Sequence, residues 1–212
     1  MKLIGAFVVL CLVFQPGCGK KASDEIDFGT VEKSVYRNDY FGMSMKIPAG
    51  WSVRDHEALQ EMLDFGGKVA DDDEMLDAVI EASELQTVNL LGVFKYPLGS
   101  PVECNPNIMC LAERIRHLPS VKTGKDYHLH SKRLLQSTQM GVTFPEEIYT
   151  EQIGGTDFDV MTLAVPNAGL IINQKQHVTV IKGYALMIIT SFSSGEEDAE
   201  LDAVLKSVRF RE

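Results

Sequence analysis

The side chains that could carry chemistry are spread along the chain and form no common catalytic motif. His56 and Glu57 begin like the H-E-x-x-H motif of zinc proteases, but Gln60 stands where the second histidine ligand is needed. The sequence also lacks a G-x-S-x-G nucleophile elbow, a P-loop and a G-x-G-x-x-G dinucleotide motif. Because no nucleophile, base and orienting group converge, we predict no catalytic residues and a protein that is not an enzyme. An enzyme whose site assembles from scattered residues is the alternative.

Two short stretches offer groups that could bind a cation. His128 and His130 are two residues apart, a spacing that places both on one face only in a strand, and their segment has a helical pattern. The acidic run from Asp71 to Glu74 could supply oxygen ligands, but it lacks the calcium-loop spacing and an aspartate there could instead cap a helix. We therefore predict no metal site and no cofactor, with a divalent-cation-binding module as the alternative.

The N-terminus carries a pattern typical of an export signal. Lys2 precedes a twelve-residue apolar run, Leu3 to Phe14, which is too short to span a bilayer as a helix but fits the apolar core of a signal peptide. Gly17 and Cys18 follow this run, and the polar sequence GKKASDE comes next. This arrangement resembles the signal of bacterial lipoproteins, and the resemblance implies that Cys18 is lipidated and becomes the new N-terminus.

We accordingly expect an exported lipoprotein of the bacterial cell envelope, attached to the membrane through the lipid on Cys18 and facing the periplasm if the cell has two membranes. Residues 1–17 are the predicted signal peptide and residues 18–34, rich in charge and poor in periodicity, the predicted flexible tether. Cleavage by an ordinary signal peptidase is the main alternative, and an uncleaved anchor is a further one.

Two cysteines, Cys104 and Cys110, remain free to pair once Cys11 leaves with the leader and Cys18 carries the lipid. In an exported chain such a pair favours a disulfide over a metal or redox pair, and the five-residue gap is not the C-x-x-C spacing of thiol oxidoreductases. We predict a Cys104–Cys110 bridge, with two reduced buried thiols as the alternative.

The composition predicts one globular domain and excludes one class of partner. The 212 residues are 45% apolar and 24% charged, which suits a single domain with a sizeable core. The formal net charge of −10 argues against binding to nucleic acid and against electrostatic docking of the folded part on anionic lipid.

Periodicity along residues 35–212 predicts a mixed α and β domain. Strands are predicted around Phe41 to Ile47, where apolar residues alternate, and over Leu85 to Tyr96. Helices are predicted within His56 to Glu84, after the Asn105-Pro106 cap with Ile108, Leu111, Ile115 and Leu118 facing inward, over the segment beginning at Gly124, and after the capping box at Ser194. Trp51, the single tryptophan, is interpreted as a core anchor, with a role in stacking on a ligand as the alternative.

The last third is strand-rich, and its clearest feature is a hairpin turning at Lys182-Gly183. Ile181 should then face Tyr184 across the turn. The second strand, from Tyr184 to Phe192, is apolar on both faces, so it should lie centrally with cover on each side. That pattern predicts a layered α/β/α arrangement around a mainly antiparallel sheet.

Two motifs at the ends of this region resemble PsbP-like and DcrB-like domains. They are YFGMSMKIPAGW, from Tyr40 to Trp51, and the ending that runs from a Gly-Gly turn through KGYALMII and an acidic helix to LKSVRF, from Leu205 to Phe210. The resemblance implies an α+β fold, a three-layer α/β/α sandwich around a mainly antiparallel sheet, and it brings no catalytic residues.

The function predicted from all these features is that of a non-enzymatic, lipid-anchored envelope protein. It would act as an accessory domain that binds an envelope protein or a small ligand, with no nucleic acid among its partners.

Overall fold

The computed structural model describes residues 26–66, 87–137, 141–167 and 169–211. Its strands are β1 Thr30–Glu32, β2 Val35–Asn38, β3 Met43–Lys46, β4 Ser52–Arg54, β5 Thr87–Phe94, β6 Asn107–Arg114, β7 Tyr149–Ile153, β8 Thr156–Asn167, β9 Leu170–Ile181, β10 Tyr184–Phe192 and β11 Arg209–Phe210. Its helices are α1 His56–Gly66, α2 Gly124–Ser137 and α3 Gly195–Leu205.

The strands form two antiparallel sheets. The larger one has the order β4-β5-β6-β10-β9-β8-β7, and the smaller one has the order β1-β2-β3-β11. All the strand pairs are antiparallel, as the hairpin-rich sequence predicts.

The predicted hairpin is the β9–β10 pair. Ile181 faces Tyr184 and Val180 faces Ala185, in the predicted register. Lys182 and Gly183 have φ angles of 52° and 81°, so both central residues occupy the left-handed region that a type I′ turn requires. This turn matches the right-handed twist of the two long strands, which explains why the chain reverses here.

Strand β10 lies in the interior of the larger sheet, between β6 and β9, and is buried on both faces. Leu186 and Ile188 belong to one buried cluster, which contains the smaller sheet and α3. Ala185 and Met187 belong to a second cluster on the opposite face, which contains Tyr127 of α2. The two-sided pattern of this strand therefore requires cover on both faces.

The cover forms the three predicted layers. Helix α2 packs on β8 and β9, while α1 lies against β5, where Gly92 leaves room for Leu59. On the other face of the larger sheet, α3 shares its layer with the smaller sheet. The predicted α+β class with a three-layer arrangement is confirmed, and the smaller sheet is an addition that the periodicity did not separate from the larger one.

One predicted helix is wrong. Asn107–Arg114 is strand β6, between β5 and β10. Ile108, Cys110 and Ala112 are buried while the residues between them are only partly so, which is a period of two. Apolar residues in this stretch also occur at helical spacing, and pairing with an apolar strand on each side decides in favour of the sheet.

The folded part begins earlier than the sequence predicts. Ile26 packs against the core, and β1 pairs with β2, so the second half of the predicted tether of residues 18–34 belongs to the fold. The predicted signal peptide, Cys18 and the acidic run from Asp71 to Glu74 lie outside the described residues. In the part of the chain described here, no helix is long and apolar enough to cross a membrane.

Candidate functional site

The histidines that could have formed a metal site are held by the fold and do not converge. His128 is buried in α2, where its Nε2 donates to the carbonyl oxygen of Asp159 at 2.9 Å, and burial lowers the pKa of its imidazole. His130 lies on the same helix but is exposed. His56 donates through Nδ1 to the carbonyl of Asn89 at 2.7 Å. Across the described ranges, no three His, Cys, Asp or Glu side chains are arranged to hold a metal ion.

His177 comes nearest to an acid–base arrangement. Its ring is buried, and Nδ1 lies 2.9 Å from the carbonyl oxygen of Ile188, which can only accept, so Nδ1 carries a hydrogen. Its Nε2 lies 2.8 Å from Oε1 of Glu151, but the carboxylate oxygen does not lie in the direction in which a hydrogen on Nε2 would point. The close contact with His177 holds the pKa of Glu151 below its ordinary value.

This pair lacks a nucleophile. Cys110 lies in register with Ile188, which lies in register with His177, so the thiol is two strands away, or about 10 Å. Burial raises the pKa of Cys110 to about 12, the opposite of what activates a catalytic thiol. The contact therefore joins the edge strand β7 to β9, and Cys110 is not placed to act with it as a nucleophile.

The predicted Cys104–Cys110 disulfide is absent, and both cysteines are free thiols. Cys110 lies inside β6, three residues and about 10 Å beyond Asn107, and it faces the core. Cys104 precedes the strand, and its side chain is hydrogen-bonded to Ser193, which lies past the end of the paired strand β10. The extended strand thus separates the two sulfur atoms by more than a disulfide can span.

A second polar group links α3 to the sheet. Nζ of Lys175, on β9, lies 2.6 Å from Oδ1 of Asp198 and 3.3 Å from Oδ1 of Asp202. Burial alone would lower the pKa of Lys175, but the hydrogen bond to Asp198 and the two carboxylate charges raise it overall. One ammonium thus contacts two carboxylates of α3, and this cluster holds the helix against β9.

A groove of about 450 Å³ opens beside α3, and it differs in character from these paired charges. The turn between β3 and β4, the residue after β5 and one face of α3 form its walls. The lining residues are Lys46, Ile47, Pro48, Trp51, Lys95, Glu200, Ala203, Val204 and Ser207. Trp51 is half-buried: it packs against the core, as predicted, and also lines the groove.

The polar groups of the groove suit binding better than chemistry. Lys95 pairs with Glu200 through Nζ and Oε2 at 2.5 Å. The hydroxyl of Ser207 accepts from the backbone N–H of Lys46 at 3.0 Å and donates to the carbonyl of Val204 at 2.6 Å. Among the described residues, the ammonium of Lys46 has no carboxylate within ion-pair distance, so it is available to an anionic group. The groove can therefore hold an apolar group beside a negative charge.

Trp51 is the only residue of this groove that the sequence analysis singled out as able to contact a ligand. The groove is assembled from three segments separated by up to 161 positions, as the contact between Lys46 and Ser207 shows. No local pattern connects them, because each lining residue is explained by its own strand, turn or helix.

No family model matches the chain, and no curated protein matches it. The solution structure of cyanobacterial PsbP (CyanoP) from Synechocystis is similar, with a TM-score of 0.51 and 14% identity over 86% of this chain and 96% of that one. The crystal structure of LpqN, described as involved in cell envelope biogenesis of Mycobacterium tuberculosis, has a TM-score of 0.44 and 10% sequence identity. The match covers 80% of this chain and 83% of LpqN. A crystal structure from Bacteroides thetaiotaomicron has a TM-score of 0.41 and 13% sequence identity, and the match covers 81% of this chain and 46% of that one.

At these identities a likeness speaks to the fold alone, and the two TM-scores below 0.5 carry no argument. The likeness to CyanoP agrees with the three layers and with the end motifs that predicted them. The chain therefore has a PsbP-like fold, and its function has to be argued from its own surface.

Proposed function

We propose that this protein is a non-enzymatic accessory protein of the bacterial cell envelope, held at the membrane by lipid on Cys18, that acts by binding a partner at the Trp51 groove. The observation that carries the proposal is the groove itself, which is lined largely by apolar side chains and has a free lysine at its rim. Its volume of about 450 Å³ lies within the usual range for binding pockets.

The polar chemistry elsewhere in the described chain supports binding over catalysis. His128, His177 and Lys175 each satisfy the protein's own groups, and none of them lines the groove. A catalytic site would need a nucleophile, a base and an orienting group that contact one another in a cavity. The titratable side chains of this groove are a lysine paired with a glutamate and one further lysine, which do not form such a set.

The N-terminal sequence supports the location. The apolar run from Leu3 to Phe14, followed by Gly17 and Cys18, resembles a lipoprotein signal. Residues 19–25 would separate the lipid from the first described residue, Ile26, and seven residues reach at most about 25 Å. The folded domain would then be held close to the membrane surface.

Photo-crosslinking in living cells tests the groove. A benzophenone amino acid at Ala203, which is exposed and lines the groove, should capture a specific protein or small molecule. The matched control is Ala199, one turn earlier on the same helix, exposed and outside the groove. Equal labelling from the two positions, or none from either, would contradict the proposal.

Membrane fractionation tests the anchor. Replacing Cys18 with Ala should leave the precursor unprocessed by the lipoprotein pathway and remove the acyl mass from the mature chain, because the thiol is the acceptor. Replacing Cys11, which lies in the predicted leader, should change neither. If the Cys18 variant still acquires lipid and partitions with membranes, the protein is not anchored in this way.

A further inference from the structure

We infer that residues 96–102, the connection between β5 and β6, form a preorganised docking surface for a protein partner that presents an apolar cleft with a carboxylate at its edge. This docking loop adjoins the groove, because Lys95, directly before it, is one of the lining residues. The inference rests on the proposed binding function and names the class of partner and the residues that meet it.

The docking loop exposes more apolar surface than its length accounts for. Tyr96, Leu98 and Val102 are 37%, 40% and 40% exposed, so this seven-residue stretch holds three of the nine exposed large hydrophobic residues in the described chain. Pro97 and Pro101 are exposed as well. Connecting loops are usually polar, and apolar side chains grouped on a surface mark contact sites.

The backbone of the docking loop is held in place by its own hydrogen bonds. The side chain of Asn105 accepts from the N–H of Tyr96 at 3.0 Å and donates to the Tyr96 carbonyl at 2.8 Å. Ser100 donates to the carbonyl of Pro97 through both its N–H, at 3.1 Å, and its hydroxyl, at 2.6 Å. Because these hydrogen bonds already fix the loop, binding to a partner should cost little of the loop's conformational entropy.

Lys46, on the groove that adjoins the docking loop, is the charge that favours a carboxylate on the partner. Nζ of Lys95 lies 5.7 Å from the centre of the Tyr96 ring and is neutralised by Glu200. Lys46, on the same groove, keeps its charge free of ion pairs in the described part of the chain. In a molecule with a net charge of −10, this unpaired cation beside apolar side chains attracts an acidic group and orients the partner.

The position of the docking loop favours a protein over the bilayer. Phe28 stacks on His56 at a centroid distance of 3.8 Å, and His56 bonds to Asn89, so the N-terminal segment meets β5 at the level of Asn89. Tyr96 lies seven residues farther along, roughly 20 Å away. The loop therefore lies at the end of β5 away from Phe28, and an acidic domain gains no electrostatic attraction from approaching anionic lipid.

The test places the photo-crosslinking residue at Leu98 in the full-length chain in cells, with Leu129 of α2, 42% exposed, as the matched control. The captured protein is then purified and its affinity measured for the full-length chain in detergent, as wild type and as the Leu98→Ser, Lys46→Glu and Leu129→Ser variants. We expect tenfold or greater weakening for Leu98→Ser, weakening with a reduced salt dependence for Lys46→Glu, and no change for Leu129→Ser. The melting temperatures should be equal, because all three side chains are exposed.

The outcomes separate this inference from the proposed function. An adduct at Ala203 without one at Leu98 would leave the groove as the binding site and overturn the docking loop. Lipid captured at Leu98 would overturn it in favour of insertion into the bilayer. A captured protein whose affinity is unchanged by Leu98→Ser would also overturn it, and the absence of adducts at both positions would remove both proposals.

Discussion

Cys104 and Cys110 differ in how far solvent reaches them, and this difference predicts their reactivity. Cys110 is fully buried and burial raises its pKa to about 12, while burial also raises the pKa of the half-buried Cys104, to a lesser degree. Iodoacetamide reacts with the thiolate. At pH 8 we expect slow alkylation of Cys104 and protection of Cys110 until the protein is denatured, as followed by peptide mass spectrometry.

The same experiment without reductant tests the absence of the disulfide. Both peptides should be recovered as free thiols from protein purified without reductant from the cells that make it. A linked peptide containing Cys104 and Cys110 would contradict the structure, because it would require β6 to be broken before Cys110.

The contact between His177 and Glu151 predicts that the free energy of unfolding depends on pH in the acidic range. The pKa of Glu151 is held below the ordinary value of about 4.5, so the unfolded state takes up a proton at a higher pH than the folded state does. The contribution of the pair is therefore complete above that value and is lost as the pH falls through the folded pKa. Because the Glu151 side chain is 38% exposed, we expect it to be about 1 kcal/mol or less.

The Glu151→Gln variant measures this contribution. Between about pH 5 and pH 3, the free energy of unfolding should fall more steeply for the wild type than for the variant, as followed by urea titration. Glu147→Gln, at an exposed carboxylate, is the control and should follow the wild type. Parallel curves for all three proteins would show that the pair does not contribute.

At the scale of elements, α3 begins with a complete capping box. The hydroxyl of Ser194 accepts from the N–H of Glu197 at 3.3 Å, and the Glu197 carboxylate accepts from the N–H of Ser194 at 3.2 Å. Ser194→Ala removes the first bond and should lower the free energy of unfolding by about 1 kcal/mol. Ser120→Ala, at an exposed loop position, should leave it unchanged. A loss for both, or for neither, would contradict the assigned role of the cap.

Elements were predictable where one local pattern had one structural solution. The capping box at Ser194 and the helix from Gly124 to Ser137 were predicted and are present, and so is the hairpin at Lys182-Gly183. In each case the residues that decide the structure are neighbours along the chain, so their spacing alone is sufficient.

Strand β6 and the groove could not be predicted for the opposite reason. Apolar residues of β6 fit a period of two as well as a helical period, and contacts with β5 and β10 decide between them. The Cys104–Cys110 bridge was predicted from the pairing expected in an exported chain, and it failed because the extended strand β6 holds the two thiols apart. The groove depends on contacts such as Lys46 with Ser207, which no sequence spacing encodes.

At the scale of the whole molecule, the larger sheet separates two buried clusters that differ in size. Among the residues that the structure describes, the cluster facing the smaller sheet and α3 holds 21 buried residues, and the one beneath α2 holds six. The groove and the docking loop lie at the end of β5, and the groove is bounded by α3 and the connection that follows the smaller sheet's β3. The groove therefore lies on the face of the larger sheet opposite α2, and weakening α2 should leave it unaltered.

The docking of α2 depends on a glycine. A Cβ atom on Gly124 would lie 2.1 Å from the carbonyl oxygen of Val178 on β9, which is a clash with backbone that no side-chain rotation relieves. Gly124→Ala should therefore push the first turn of α2 away from the sheet and cost about 3 kcal/mol of unfolding free energy, measured by urea titration. Gly195, the first residue of α3, has open space where a Cβ atom would lie, so Gly195→Ala is the matched control and should be neutral or slightly stabilising.

Because the groove lies on the opposite face, Gly124→Ala should leave the fluorescence of Trp51 unchanged in the protein that remains folded. Equal stability of the two variants would show that α2 does not approach the sheet this closely, and an altered Trp51 spectrum would show that the two faces are coupled.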